Sequence, residues 1–237
     1  MKQVTLLILV AFVISSCDTT KQAAYAANAV YTNEDTLITQ SLFNDKSATI
    51  SEDNIQHVLD GRYKLPQQLR VAIVRLESLQ QRRNYWYYWS DEQYLKTQQS
   101  YLDLFTDKFK QSPRVVTTFS VPDVLISKSP SFTSIREAAV RMQADIVVIY
   151  SIANDLYSKS KAFSKPEIKA YATTQLIILD VRTGLIPFSA ISTKDALSQK
   201  KKEELENAEA ASRVQNEAVL ATITDIGEKI TLFLGTR

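Results

Sequence analysis

The sequence predicts an α/β fold, a mixed five-stranded sheet in the order β-α-β-α-β-β-β-α with helices packed on its faces. Three observations carry that prediction. Residues 146–150 (IVVIY) and 176–179 (LIIL) are apolar without alternation, as strands covered on both faces are. Before them, strand and helix patterns alternate, so right-handed crossovers make the first three strands parallel neighbours. After them, short links join the last three strands, which predicts an antiparallel meander. The stretch 145–184 is therefore the expected centre of the sheet.

Each element follows from its own punctuation. A short helix is capped by Ser51, carries Glu52 and Asp53 at its positive end, closes at Gly61 and has an apolar face of Ile55, Val58 and Leu59. Residues 69–76 (LRVAIVRL) form the first strand, with Val71 and Ile73 on one face. A polar link leads to the aromatic run 85–89, after which Ser90 and Gln93 make a capping-box pattern. The helix they open spans 91–110, bears Tyr94, Leu95, Gln98, Tyr101, Leu102, Phe105 and Phe109 along one side, and stops at Ser112-Pro113. The second strand is 114–120, and an irregular segment with Pro122 and Pro130 follows. Ser134 and Glu137 then open a helix through Met142, striped with Ile135, Ala138, Ala139 and Met142. Asp145 starts the third strand, and residues 154–167, rich in lysine and serine, read as its connection to the fourth. Arg182, Thr183 and Gly184 form the next turn, residues 185–193 the fifth strand, and 192–199 a transition. A last helix spans 201–234. Its stripe is Val219, Ile223, Ile226, Ile230 and Phe233, and its charged start reads as a solvated face or a partner-binding arm.

Composition limits the function classes. The 237 residues carry 28 basic and 26 acidic side chains, so no net field draws the chain to nucleic acid. Four glycines, none adjacent to another, leave no glycine-rich phosphate cradle, and no cofactor is implied. Cys17 is the sole cysteine. It follows Lys2, an apolar core at 4–14 and the small residues Ser15 and Ser16, the layout of a secretory signal too short to be a permanent span. Ile14-Ser15-Ser16-Cys17 resembles the lipobox of bacterial lipoproteins, in which the signal is cut before the cysteine and that residue is acylated, with palmitate among the usual chains. The domain expectation is a signal peptide at 1–16, a lipidated Cys17 and tether at 17–50, and a single α/β domain at 51–237 with its core at 65–235. As a flexible coil the tether reaches about 30 Å.

Catalytic constellations are not found. The sequence has no Gly-x-Ser-x-Gly elbow and no His-Glu-x-x-His helix. The only histidine, His57, has no second histidine or free thiol to join it, so it reads as a surface residue. No catalytic residue, metal ligand or cofactor is assigned, and the chain reads as a non-enzyme.

Arg70 to Val74, Ala144-Asp145-Ile146-Val147-Val148, and Leu176 through Gly184 with its Asp180-Val181-Arg182-Thr183-Gly184 ending carry a family likeness over about residues 65–235. They resemble the family of the curli-secretion-channel lipoprotein and the penicillin-binding-protein activator lipoprotein. That resemblance implies a lipid-anchored domain of the bacterial envelope, at the outer or inner membrane and facing periplasm or surface. Asp180 and Thr183 themselves read as turn-forming residues ahead of Gly184. Membrane-spanning hairpins of the channel members need alternating strands of about 9–11 residues. Residues 154–167 and 189–202 do not have that pattern, so the activator-like reading, binding of another envelope protein, is preferred. Subunits of an oligomeric secretion or envelope assembly, and binding or modification of cell-wall glycan, are the alternatives. The candidate partner-binding residues are Tyr85, Trp86, Tyr87, Tyr88 and Trp89. Five consecutive aromatics cannot all face inward on a strand or helix. They divide between packing under the following helix and anchoring a protein or sugar partner.

Overall fold

The computed structural model describes residues 41–43, 45, 49–76, 92–126, 130–159, 167–204 and 207–235. The elements are α1 (Glu52–Asp60), β1 (Leu69–Arg75), α2 (Glu92–Lys110), β2 (Val115–Ser120), a 3₁₀ turn (Asp123–Leu125), α3 (Phe132–Arg141), β3 (Ile146–Lys159), β4 (Glu167–Asp180), β5 (Phe188–Gln199) and α4 (Asn207–Gly235). The sheet runs β2-β1-β3-β4-β5. β1 is parallel to β2 and β3, while β3–β4 and β4–β5 are antiparallel. The predicted α/β class, the mixed sheet and the central place of residues 145–184 are what the chain adopts.

Alternation sorts the strand residues onto two faces. On one, Leu69, Val71, Ile73, Ile146, Val148, Tyr150, Leu176 and Ile178 are buried, together with Phe105 and Phe109 of α2 and Ile223, Ile226 and Ile230 of α4. The Phe105 ring lies 4.7 Å from that of Tyr150, which ties α2 to β3. α2 and α4 approach closely because Gly227 has no side chain; a Cβ there would stand 2.6 Å from Lys108 Cγ. The other face carries a second cluster, in which Ile135, Ala138 and Ala139 of α3 meet Ala72, Val74, Val147, Ile149, Leu179 and Val181. The residues predicted as the stripe of this helix are its packing face.

Several boundaries differ from the sequence reading, each for a local reason. α3 starts a turn earlier than the Ser134–Glu137 pattern suggests, because Ser131 is the cap: its Oγ accepts from Ser134 N at 3.3 Å, and Ser134 Oγ accepts from Ser131 N at 2.9 Å. That places Phe132 in the helix, where it stacks on Phe43 at 5.0 Å while its N–H donates to Leu42 O at 2.7 Å. The far end of the stretch read as a tether thus touches the domain. Residues 154–159 and 167 of the connection read at 154–167 are strand, since β3 and β4 pair without interruption from Ile146↔Asp180 to Lys159↔Glu167. The fifth strand lies further along than 185–193, and the transition read at 192–199 belongs to it. The last helix begins at Asn207 because the preceding charged residues form a latch: Glu204 accepts from Lys201 N at 2.6 Å and from Arg213 Nε at 2.5 Å. At α1, Ser51 Oγ takes the Asn54 side chain at 2.8 Å rather than a backbone N–H, and Gly61 is extended at φ −67°. α1 buries none of its residues.

Candidate functional site

Two carboxylates singled out by the motifs lie at one end of the sheet, because β3 starts beside the end of β4. Asp145 precedes Ile146, which pairs with Asp180. Arg70 at the start of β1 grips Asp145 three times: Nε to Oδ2 at 3.0 Å, Nη2 to Oδ1 at 3.0 Å, and its backbone N to Oδ2 at 2.9 Å. Arg182 adds a longer contact at 3.6 Å. These hydrogen bonds from Arg70 hold the carboxyl below its ordinary range, against the opposing effect of burial. Asp180 Oδ1 accepts from Thr183 N at 2.7 Å and Thr183 Oγ1 at 2.8 Å, and its Oδ2 accepts from the Tyr63 hydroxyl at 3.1 Å. Burial, then the neighbouring Asp180 charge, pushes the Tyr63 hydroxyl well above its ordinary range. Gly184 closes the turn at φ +75°, a conformation that favours glycine. Arg136 of α3 donates to Val181 O at 2.6 Å and Arg182 O at 2.7 Å, fastening the turn to the helix. Both carboxylates are occupied by donors from their own chain. They act as clasps joining β1, the β4 turn and the segment before β1.

The opposite end of the sheet is built differently. α3 covers the face of Ile149 and Leu179, but β3, β4 and β5 continue past it. On the same face this extension presents Ser151, Ala153, Asp155 and Tyr157 from β3, Lys169, Tyr171, Thr173 and Gln175 from β4, and Ile191, Thr193, Asp195 and Leu197 from β5, as the registers require. The reverse face of the extension is packed, with Ile168, Ala170, Ala172, Thr174, Ala211, Val214 and Ala218 all buried. One side of this meander is therefore a firm support and the other is open. Tyr157 is 56% exposed, Ile191 65% and Leu197 67%.

The open side is ordered by cross-strand contacts. Tyr157 and Tyr171 meet edge to face at 5.7 Å, and the Tyr157 hydroxyl donates to Asp155 Oδ2 at 2.8 Å. Lys169 Nζ stands 4.6 Å from the Tyr171 ring centre and 3.2 Å from Asp195 Oδ2. Contact with Tyr171, then with Asp195, raises the lysine above its ordinary value, so it stays a cation. Thr173 and Thr193 share a hydrogen bond at 2.9 Å. Aromatic and aliphatic groups beside satisfied polar ones, on a rigid sheet, form a surface suited to docking rather than to proton transfer.

Cys17 and the run Tyr85, Trp86, Tyr87, Tyr88 and Trp89 lie outside the described residues. His57 is exposed, with Nδ1 3.2 Å from Asp53 O, as a surface residue would be. Among the described residues, no group of three or more His, Cys, Asp or Glu is placed to hold a metal, and no helix is long and apolar enough to cross a membrane. Sequence reasoning missed the open meander. Its signal was the alternation of Ile168, Ala170, Ala172 and Thr174 against Lys169, Tyr171 and Thr173, directly after the connection read at 154–167.

No family model and no curated protein matches the chain. Among solved structures, a hypothetical protein from Chlamydia trachomatis is similar over 72% of this chain and 99% of its own, with 13% identity and a TM-score of 0.40. A minor lipoprotein from Acinetobacter baumannii is similar over 71% of this chain and 94% of its own, at 9% identity and TM-score 0.37. A lipoprotein from Neisseria meningitidis is similar over 66% of this chain and 99% of its own, at 9% identity and TM-score 0.31. These likenesses include bacterial lipoproteins, but at such scores they carry no argument about function.

Proposed function

We propose that this chain is a lipid-anchored protein of the bacterial envelope whose α/β domain binds another envelope protein and catalyses no reaction. The observation that carries the binding reading is the open side of the β3–β4–β5 extension, where Tyr157, Ile191 and Leu197 are exposed on a sheet whose reverse buries Ile168, Ala170, Ala172 and Thr174. The anchor rests on Ile14-Ser15-Ser16-Cys17, with Cys17 as the acylated residue. Two or three acyl chains on one residue anchor stably, where a single chain does not. Kinship with the activator-type lipoproteins rests on the Asp145 and Asp180–Gly184 motifs. Both act here as clasps of the fold, which leaves binding to the open surface. The aromatic run Tyr85–Trp89 belongs to the same proposal as a second anchor.

The test is a pair of full-length double variants, Tyr157→Ala/Tyr171→Ala and Trp86→Ala/Trp89→Ala, compared for in-cell crosslinking to envelope proteins. Loss of one specific conjugate in either variant, with folded protein at normal levels, supports the reading. Unchanged conjugates in both overturn it. Cosedimentation of the unsubstituted chain with purified cell wall, abolished by the Tyr157→Ala/Tyr171→Ala change, would instead assign the surface to glycan. Mass spectrometry of the mature N-terminus tests the anchor: an acylated Cys17 is expected, and an unmodified Cys17 contradicts it.

A further inference from the structure

We infer that two copies of this chain join edge to edge through β5, antiparallel, about a two-fold axis at Lys194. β5 is the last strand of the sheet and is bonded to β4 on one side only among the described strands. It runs from Phe188 to Gln199 without a proline, whereas the opposite edge, β2, is half as long. A long edge of this kind is a template for another strand, and proteins usually blunt it with charge. Here each charged side chain of the edge already has an ion-pair partner within the chain. Lys194 Nζ lies 3.2 Å from Asp225, which also holds Lys229 at 2.8 Å, and Asp195 lies 3.2 Å from Lys169. What remains unmatched is apolar. Ile191 and Leu197 are both on the open face, and they stand three residues before and after Lys194.

That spacing makes the edge self-complementary. With Lys194 opposite its own counterpart, antiparallel pairing puts Ile191 against Leu197 of the second copy, and Leu197 against Ile191 of the second copy. Thr193 then faces Asp195 in the same way. Sliding two residues in one direction sets Ile191 against Asp195, and in the other against Gln199. Sliding by one residue turns the two open faces to opposite sides. Lys194 meets its counterpart on the α4 side, where each lysine keeps its own Asp225. In the paired form the two open faces become one continuous surface, with Tyr157 and Tyr171 on either flank. The second copy takes the β5 edge with Ile191 and Leu197, and leaves Tyr157 and Tyr171 of the open face to a partner.

The experiment uses the full chain in its own membrane, as two differently tagged populations carrying Ile191→Cys or Leu197→Cys, with the unsubstituted chain as the Cys17 background. Antiparallel pairs bring Cα atoms to about 5 Å, within disulfide range. Like positions lie six residues apart, about 20 Å along the strand. Oxidation is expected to join the 191 population to the 197 population at least tenfold more than either to itself. Equal joining of all pairs, or none, overturns the inference, as does a conjugate of β5 with a different protein instead of a second copy. An Ile191→Lys/Leu197→Lys chain, altered only at exposed positions, checks the result in detergent by sedimentation. It is expected to be monomeric at concentrations where the parent dimerises, and equal sedimentation of the two contradicts the β5 edge.

Discussion

Replacing Asp180 with alanine separates a structural clasp from a working site. The carboxylate is 3% exposed and accepts three hydrogen bonds, from Thr183 N, Thr183 Oγ1 and the Tyr63 hydroxyl. Bonds to a charged acceptor contribute about 1.5–3 kcal/mol each, but the turn donors are near solvent and regain water when the acceptor is lost. Asp180→Ala should therefore cost about 2–3 kcal/mol, less than the sum of the three. For a domain of this size that lowers Tm by about 5–10 °C. Asp180→Asn keeps the Oδ1 acceptor and presents an N–H to a tyrosine oxygen that can accept it, so about 1 kcal/mol is expected. Tyr63→Phe removes only one bond and should also cost about 1 kcal/mol. Urea unfolding of all three variants, with the Tyr63→Phe/Asp180→Ala double variant to close the cycle, measures these values. A change below about 0.5 kcal/mol for Asp180→Ala, within the noise of an ordinary surface substitution, would refute the clasp. So would a fully stable variant that had lost partner binding.

Four further outcomes follow from the packing and charges. Phe105→Ala, at a site with no exposure against Tyr150, should destabilise by about 3–5 kcal/mol in the same assay. Gly227→Ala should destabilise by about 1–3 kcal/mol from overpacking against the Lys108 stem, and Lys108→Ala in the same chain should recover most of it. Asp145, held low by Arg70, stabilises the fold above the ordinary carboxylate range, and its contribution is lost as pH falls through its folded value. Asp145→Asn should thus be less stable at neutral pH and show a shallower decline on acidification, read from unfolding midpoints at about pH 7, 4 and 2; an unchanged slope counts against the clasp. Thr174→Val should cost under about 1 kcal/mol, because Thr222, its buried partner at 2.5 Å, still donates to Val219 O at 2.6 Å.

The parts of the fold that could be read from the sequence are those buried on both sides. Ile146–Tyr150 and Leu176–Leu179 announce themselves because helices cover both faces there, so nothing polar interrupts them. The helix stripes were equally plain, since Ile135, Ala138 and Ala139 are, with Phe132, the residues α3 buries. The distal half of the hairpin was harder. It is covered on one side only, and Asn154, Asp155, Ser158 and Lys159 have low strand propensity, so pairing with β4 rather than local preference makes it a strand. β5 was misplaced for a related reason. Its packed side carries the small or polar residues Ala190, Ser192 and Ala196, while Ile191 and Leu197 point outward, which inverts the usual pattern. The charged start of the last helix resembled a helix by composition, yet Glu204 is captured by Arg213 before the helix begins. The same inversion hid the candidate surface: exposed apolar residues on a strand are a site signature only once the register shows which face they occupy.

The central claim is that this chain works through the open side of the β3–β4–β5 extension. The most direct measurement places a photo-crosslinking residue at Tyr171 on that side and, separately, at Glu228 on the exposed part of α4, in the full-length protein in living cells. The account predicts a discrete conjugate with one envelope protein from position 171, competed away by excess unsubstituted chain, and none from position 228. The same conjugate from both positions, or from 228 alone, would contradict it.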